Sequence, residues 1–87
     1  STAKMYASIQ IPKNRTASAV TLYGSGTSAF TVYEANVDSK TVTSKGSGVV
    51  GTILIFTSIA YSVSNYVLIE LNQTSTEEIY GGKMTII

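Results

Sequence analysis

The longest apolar passage of the chain, residues 49–71, constrains the fold more than any other feature. It reads VVGTILIFTSIAYSVSNYVLIEL and carries no charged side chain before Glu70. So much apolar surface has to be covered by the rest of the protein, by a partner or by lipid. We therefore expect residues 49–71 to lie at the centre of the structure.

A transmembrane helix is one way to cover this passage. Residues 49–69 could cross a bilayer, which takes about 20 apolar residues, and Ser58, Ser62 and Asn65 would form a polar stripe on one helical face. However, β-branched residues are abundant, and the flanks lack the Trp and the clustered Lys and Arg that usually anchor a span. We therefore expect no membrane insertion.

A pair of buried strands is the interpretation that we favour. Residues 62–65 interrupt the apolar run and divide it into strands at 50–61 and 66–72. Both strands are apolar on both faces, which is typical of strands at the centre of a sheet. The predicted core residues are Leu54, Phe56, Leu68 and Ile69.

The remainder of the chain also has the period-2 alternation of strands. Residues 5–11 alternate until Pro12, and the next two alternating segments, 19–23 and 30–37, flank a Gly and Ser turn that predicts a hairpin. A short edge strand is expected at 41–43.

Turn signals complete the pattern. Residues 45–48, KGSG, are expected to separate the edge strand from the core, residues 74–78 to form a polar loop, and Gly81-Gly82 to be a turn or a bulge within one strand. This spacing predicts one all-β domain over residues 1–87. We expect an antiparallel, jelly-roll-like β-sandwich of about six to eight short strands.

The composition argues against several functions. The chain contains neither His nor Cys, so it lacks the commonest general base, the commonest metal ligand and any thiol. Its five carboxylates are not spaced as a catalytic pair or a calcium loop, and its net charge of +1 provides no surface for a phosphate backbone. We expect a protein that is not an enzyme, with no cofactor, no metal and no nucleic-acid partner.

Two groups of residues are candidates for an interaction surface. Tyr6, Tyr23 and Tyr33 lie opposite the apolar positions of their strands and, if those strands are neighbours in one sheet, could form a platform for sugar rings. The simpler interpretation is that they are solvent-facing or interface residues. Ile86 and Ile87 make the C-terminal end apolar, which predicts burial in a sheet or against a partner.

The need for a partner follows from size and charge. A domain of 87 residues without disulfides buries a modest core, and 13% charged residues is low for a freely exposed surface. We therefore expect a structural homo-oligomer, a dimer or trimer, on a virion surface or outside the cell. The alternative is a carbohydrate-binding module.

Ser- and Thr-rich strands such as residues 61–69, glycine-punctuated turns and the closing segment 79–86 carry a family resemblance. The whole chain resembles the small β-sandwich decoration, or cement, proteins of tailed-phage heads, and also looks like trimming modules of phage fibres. This resemblance implies a dimeric or trimeric, jelly-roll-like protein that bridges neighbouring capsid subunits. It implies no catalytic residues.

Overall fold

The computed structural model describes residues 3–73 and 79–87, which form seven strands in two antiparallel sheets and no helix. The strands are β1 (Ala3–Ile9), β2 (Thr16–Gly24), β3 (Ala29–Asn36), β4 (Thr41–Val49), β5 (Leu54–Ala60), β6 (Asn65–Gln73) and β7 (Ile79–Ile86). The all-β prediction is confirmed. The polar loop predicted at 74–78, with Glu77 and Glu78, lies outside the described residues.

The strands pair in a nested order. One sheet has the order β1-β6-β3-β4 and the other has the order β5-β2-β7. The first strand therefore pairs with the sixth, the second with the fifth and the third with the fourth, while β7 adds to the other side of β2. A chain folded back on itself and wrapped into two sheets in this way is jelly-roll-like, as the sequence predicts.

Strand alternation places the core between the sheets. In β6, Val67, Ile69 and Leu71 are buried, and they pair with inward-facing residues of β3 such as Phe30 and Val32. The second sheet contributes further apolar side chains from β2 and β5 to the same core. These are Ala17, Val20, Phe56 and Ile59.

The two sheets approach closely where β4 lies over β5. A Cβ atom added to Gly46 would lie 3.0 Å from the Phe56 Cβ, and one added to Gly48 would lie 3.1 Å from the Leu54 Cβ. Glycine at these two inward-facing positions leaves room for the facing sheet. We call this side of the sandwich the closed edge.

Asn65 fixes the connection between β5 and β6. Its side-chain amide donates hydrogen bonds to the Ala60 carbonyl and to the Glu34 carboxylate, both at 2.9 Å, and its Oδ1 accepts one from the Ser62 N–H at 3.0 Å. The amide is buried, so these bonds offset the cost of removing it from water. The polar interruption at 62–65 is thus a specified turn, as predicted.

The passage 49–71 forms strands and turns, so the transmembrane-helix alternative is wrong for this structure. The part of the chain that the structure describes contains no helix with the length and apolarity needed to span a bilayer. The division into two strands is confirmed, although only β6 is central. β5 is an edge strand of the other sheet, and its outward-facing Ile55 is 77% exposed.

Two predicted turns have different roles in the structure. The Gly- and Ser-rich segment between β2 and β3 crosses from one sheet to the other, so the predicted hairpin is wrong although both strands exist. The turn predicted at 45–48 is wrong, because these residues are part of β4, which continues to Val49. β4 is an edge strand, as expected for 41–43. Gly81-Gly82 lies within β7. The pairing of β7 with β2 shifts its register next to Gly81, between Tyr23 and Gly24 of β2, which confirms a bulge within one strand instead of a turn.

The predicted core is correct for most of its members. Phe56 and Ile69 are buried, and Leu54 is half-buried against the core. Leu68 is a correction, because β6 turns Val67 and Ile69 inward and therefore places Leu68 on the outer face. The apolar neighbours on both sides of Leu68 hid this alternation in the sequence.

Candidate interaction surfaces

On the side of the sandwich opposite the closed edge, the space between the two sheets is open to solvent. There β1 ends the four-stranded sheet and β7 ends the three-stranded sheet. A cavity of about 280 Å³ lies between these two strands. Its walls come from both sheets, and its lining residues are Ala7, Ile9, Val20, Leu22, Ile69, Ile79, Gly81, Gly82, Lys83 and Met84. We call this side the open edge.

The open edge exposes part of the core. Met5, Ala7 and Ile9 pair with Leu71, Ile69 and Val67, respectively, and so share the inward face of the sheet. Met5 is nevertheless 46% exposed, and a smaller cavity of about 100 Å³ continues from the first along Met5 and Ile79. Apolar side chains that face inward but remain in contact with water are a surface that burial would stabilise.

The outer face of the four-stranded sheet carries a second surface, built around Glu70. The Tyr6 hydroxyl donates a hydrogen bond to Glu70 Oε2 at 3.0 Å, and the Tyr33 hydroxyl donates one to Oε1 at 3.4 Å. Lys4 Nζ lies 3.7 Å from Oε2. The strands β1 and β3 flank β6, so the two tyrosines reach the carboxylate from opposite sides. We call Tyr6, Tyr33, Tyr66 and Glu70 the tyrosine face.

The carboxylate changes the acidity of one tyrosine. Glu70 raises the pKa of Tyr6 above its ordinary value, first because the Tyr6 hydroxyl donates a hydrogen bond to it. The neighbouring negative charge also disfavours a phenolate. Tyr6 therefore keeps its proton, and with it the bond that orients its ring, over the whole neutral range and beyond it.

A shallow depression of about 410 Å³ adjoins this cluster. It is lined by Tyr6, Ser8 and Gln10 from β1 and the residues that follow it, and by Tyr66 and Leu68 from β6. Ser8 is directly opposite Leu68 in the strand register. The depression thus has an apolar floor, aromatic walls, and a hydroxyl and an amide at its rim.

The structure brings together only part of the predicted surface. Tyr6 and Tyr33 share the tyrosine face, whereas Tyr23 lies on β2 in the other sheet, so the platform of all three is wrong. Ile86 is half-buried against the core. Ile87 is 66% exposed, although its backbone N–H and carbonyl both pair with Thr16 at 2.8 Å. The predicted burial of the C-terminal end is thus confirmed for Ile86 only.

The interaction surface predicted from the sequence does not include Tyr66 and Glu70. Period-2 counting from Val67 places Tyr66, Leu68 and Glu70 on one face of β6, so the signal was present in the sequence. The open edge had no such signal, because it depends on which strands end the two sheets. No group of three or more carboxylates that could hold a metal ion occurs within residues 3–73 and 79–87.

The chain matches no protein-family model, and comparison with curated proteins and with solved structures likewise found no match. The open edge and the tyrosine face are therefore the features from which we infer a function.

Proposed function

We propose that the protein is a non-enzymatic structural subunit that associates with further copies of itself through the open edge. The observation that supports this most strongly is the apolar cavity between β1 and β7, beside which the inward-facing Met5 is 46% exposed. Covering this surface removes apolar area from water without any change in the fold of the subunit.

A second copy fits the open edge because of its backbone as well as its side chains. Among the described residues, β1 pairs only with β6, so one side of its backbone is free to accept a further strand. A twofold axis would place β1 against β1 of the second copy and continue the sheet across the contact. The inward-facing side chains of β1 are Met5, Ala7 and Ile9 and carry no charge, so those of the two copies would lie side by side on one face of the continued sheet without repulsion.

The wider assembly that we propose is a viral capsid. The resemblance to phage decoration proteins, the low charge and the Ser- and Thr-rich strands support a protein that bridges neighbouring subunits of a larger structural protein. The virion surface would be its location. The open edge then serves self-association, which leaves other faces for the capsid.

Substituting Met5 by Glu should dissociate the oligomer. A carboxylate at this position would be buried without a partner in the contact, yet it can reach water in the separated subunit. We expect sedimentation of M5E at micromolar concentration to give the 9.2 kDa monomer. Circular dichroism should show that the strands are retained.

Val42→Glu is the matched control, because Val42 is 56% exposed on β4, the strand at the other end of the same sheet. We expect V42E to keep the mass of the native protein. Dissociation of V42E alone would mean that the subunits associate through the closed edge. Retention of the native mass by M5E would contradict the proposed contact.

A further inference from the structure

We infer that the tyrosine face is a binding site for a neutral oligosaccharide, separate from the surface proposed for self-association. The site consists of the depression between Tyr6 and Tyr66, with Leu68 as its floor and Ser8 and Gln10 at its rim. It lies on the outer face of the sheet, whereas the open edge exposes the inner face. Pairing of β1 with β1 at their edges leaves this outer face exposed, so a ligand can bind whether or not the subunits associate.

Tyr6, one of the two aromatic residues that line the site, is held in place before any ligand arrives. Tyr6 is 60% exposed, but its hydroxyl is bonded to Glu70, which restrains a ring that would otherwise turn freely. Tyr33 is bonded to the other oxygen of the same carboxylate and is half-buried. Restraining the rings in the unbound protein lowers the entropy lost on binding.

The spacing of the aromatic residues suits an extended ligand. Tyr6 is directly opposite Glu70, and Tyr66 lies four residues before Glu70 on β6. Four residues of a strand span about 13 Å, so the two rings stand at the two ends of the depression. A ligand of two or more linked sugar rings can lie over Leu68 and contact both tyrosines.

The polar groups indicate carbohydrate instead of an apolar partner. Sugar rings have C–H faces that pack on aromatic rings and hydroxyl groups at their edges. Ser8 and Gln10 at the rim offer such hydroxyls donors as well as acceptors. An apolar protein surface docked here would leave these groups buried without hydrogen bonds, which is costly.

The charge at the site favours neutral sugars. Glu70 lies opposite Tyr6 at one end of the site, and Lys4 Nζ is 3.7 Å from its Oε2. A sialic or uronic acid would bring a second negative charge beside Glu70. We therefore expect neutral oligosaccharides to bind more tightly than acidic ones of the same size.

An array of neutral oligosaccharides of glucose, galactose, mannose and N-acetylglucosamine tests the inference, with the intact protein as the probe. The best ligand is then titrated while backbone amide resonances are recorded by NMR. We expect shifts concentrated at residues 6–10 and 66–70. Tyr66→Ala should weaken binding roughly tenfold or more, since it removes one aromatic wall.

Tyr23→Ala is the matched control, because Tyr23 is an exposed tyrosine in the other sheet and should leave binding unchanged. Gln10→Ala is a second test variant at an exposed position beyond the end of β1, which keeps the experiment decisive if Y66A fails to fold. Absence of binding to every neutral oligosaccharide, equal loss in Y23A, or shifts confined to other residues would overturn the inference.

Discussion

Replacing Ile69 by Ala should lower the free energy of unfolding by about 2–5 kcal/mol, the range for truncating a large aliphatic side chain in a packed core. Ile69 is 4% exposed, and it packs within the core cluster that joins the two sheets. Its neighbours are held by strand pairing on both sides of β6, so they cannot collapse into the space left by the side chain. Urea denaturation measures the loss.

Leu68→Ala is the matched control for this prediction. Leu68 is the preceding residue of the same strand and has a side chain of the same size, but it lies half-buried on the outer face. Its truncation should cost less than about 1 kcal/mol. A larger loss for L68A than for I69A would show that the inward and outward faces of β6 are reversed. All variants have to be compared at one protein concentration, because association adds to apparent stability.

Gly46→Val should be the second strongly destabilising change. The Cβ would lie 3.0 Å from the Phe56 Cβ and 3.5 Å from the Phe56 Cα, so the side chain meets an atom of the facing strand that has little freedom to move. The sheets have to separate at the closed edge, and the two further methyl groups of Val enlarge the displacement. Overpacking of this kind costs about 1–3 kcal/mol, which thermal or urea denaturation can resolve.

Ser47→Val isolates the effect of packing from that of strand propensity. Ser47 is the next residue of β4, is exposed on the outer face, and shares a hydrogen bond with the Thr31 hydroxyl at 3.2 Å. The same side chain introduced there should change the stability by less than about 0.5 kcal/mol. Equal stability of G46V and S47V would mean that β4 and β5 are not in close contact.

The strands of this protein were largely predictable from the sequence, because alternation and turn residues are local signals. Residues 5–11, 19–23 and 30–37 alternate clearly, and each corresponds to a strand of the structure. The break between two strands at 62–65 was also predictable, because polar residues interrupt an apolar run there. In the structure the buried Asn65 amide has the hydrogen-bond partners that it needs.

The pairing of the strands was not predictable in the same way. The segment between β2 and β3 has the composition of a hairpin turn, yet it connects two sheets, because composition does not determine which strand a chain meets next. Gly46 was wrongly predicted to lie in a turn for a related reason. A glycine that ends a strand and a glycine that admits a facing sheet look the same until the facing residue, Phe56, is known.

The candidate surfaces depend on this pairing. Tyr6 and Tyr33 meet only because β6 lies between β1 and β3, and Tyr23 is excluded only because β2 belongs to the other sheet. The open edge exists because β1 and β7 end their sheets on one side of the sandwich. Each surface is made of residues distant in sequence. Residue patterns alone could identify candidate residues, but they could not predict which of these residues lie together.

We propose that a second copy of the chain covers the open edge. Light scattering at micromolar concentration measures this most directly. We expect a mass of at least twice 9.2 kDa, with a dimer as the simplest product of a twofold contact between β1 strands. A well-behaved monomer of 9.2 kDa under these conditions would contradict the account.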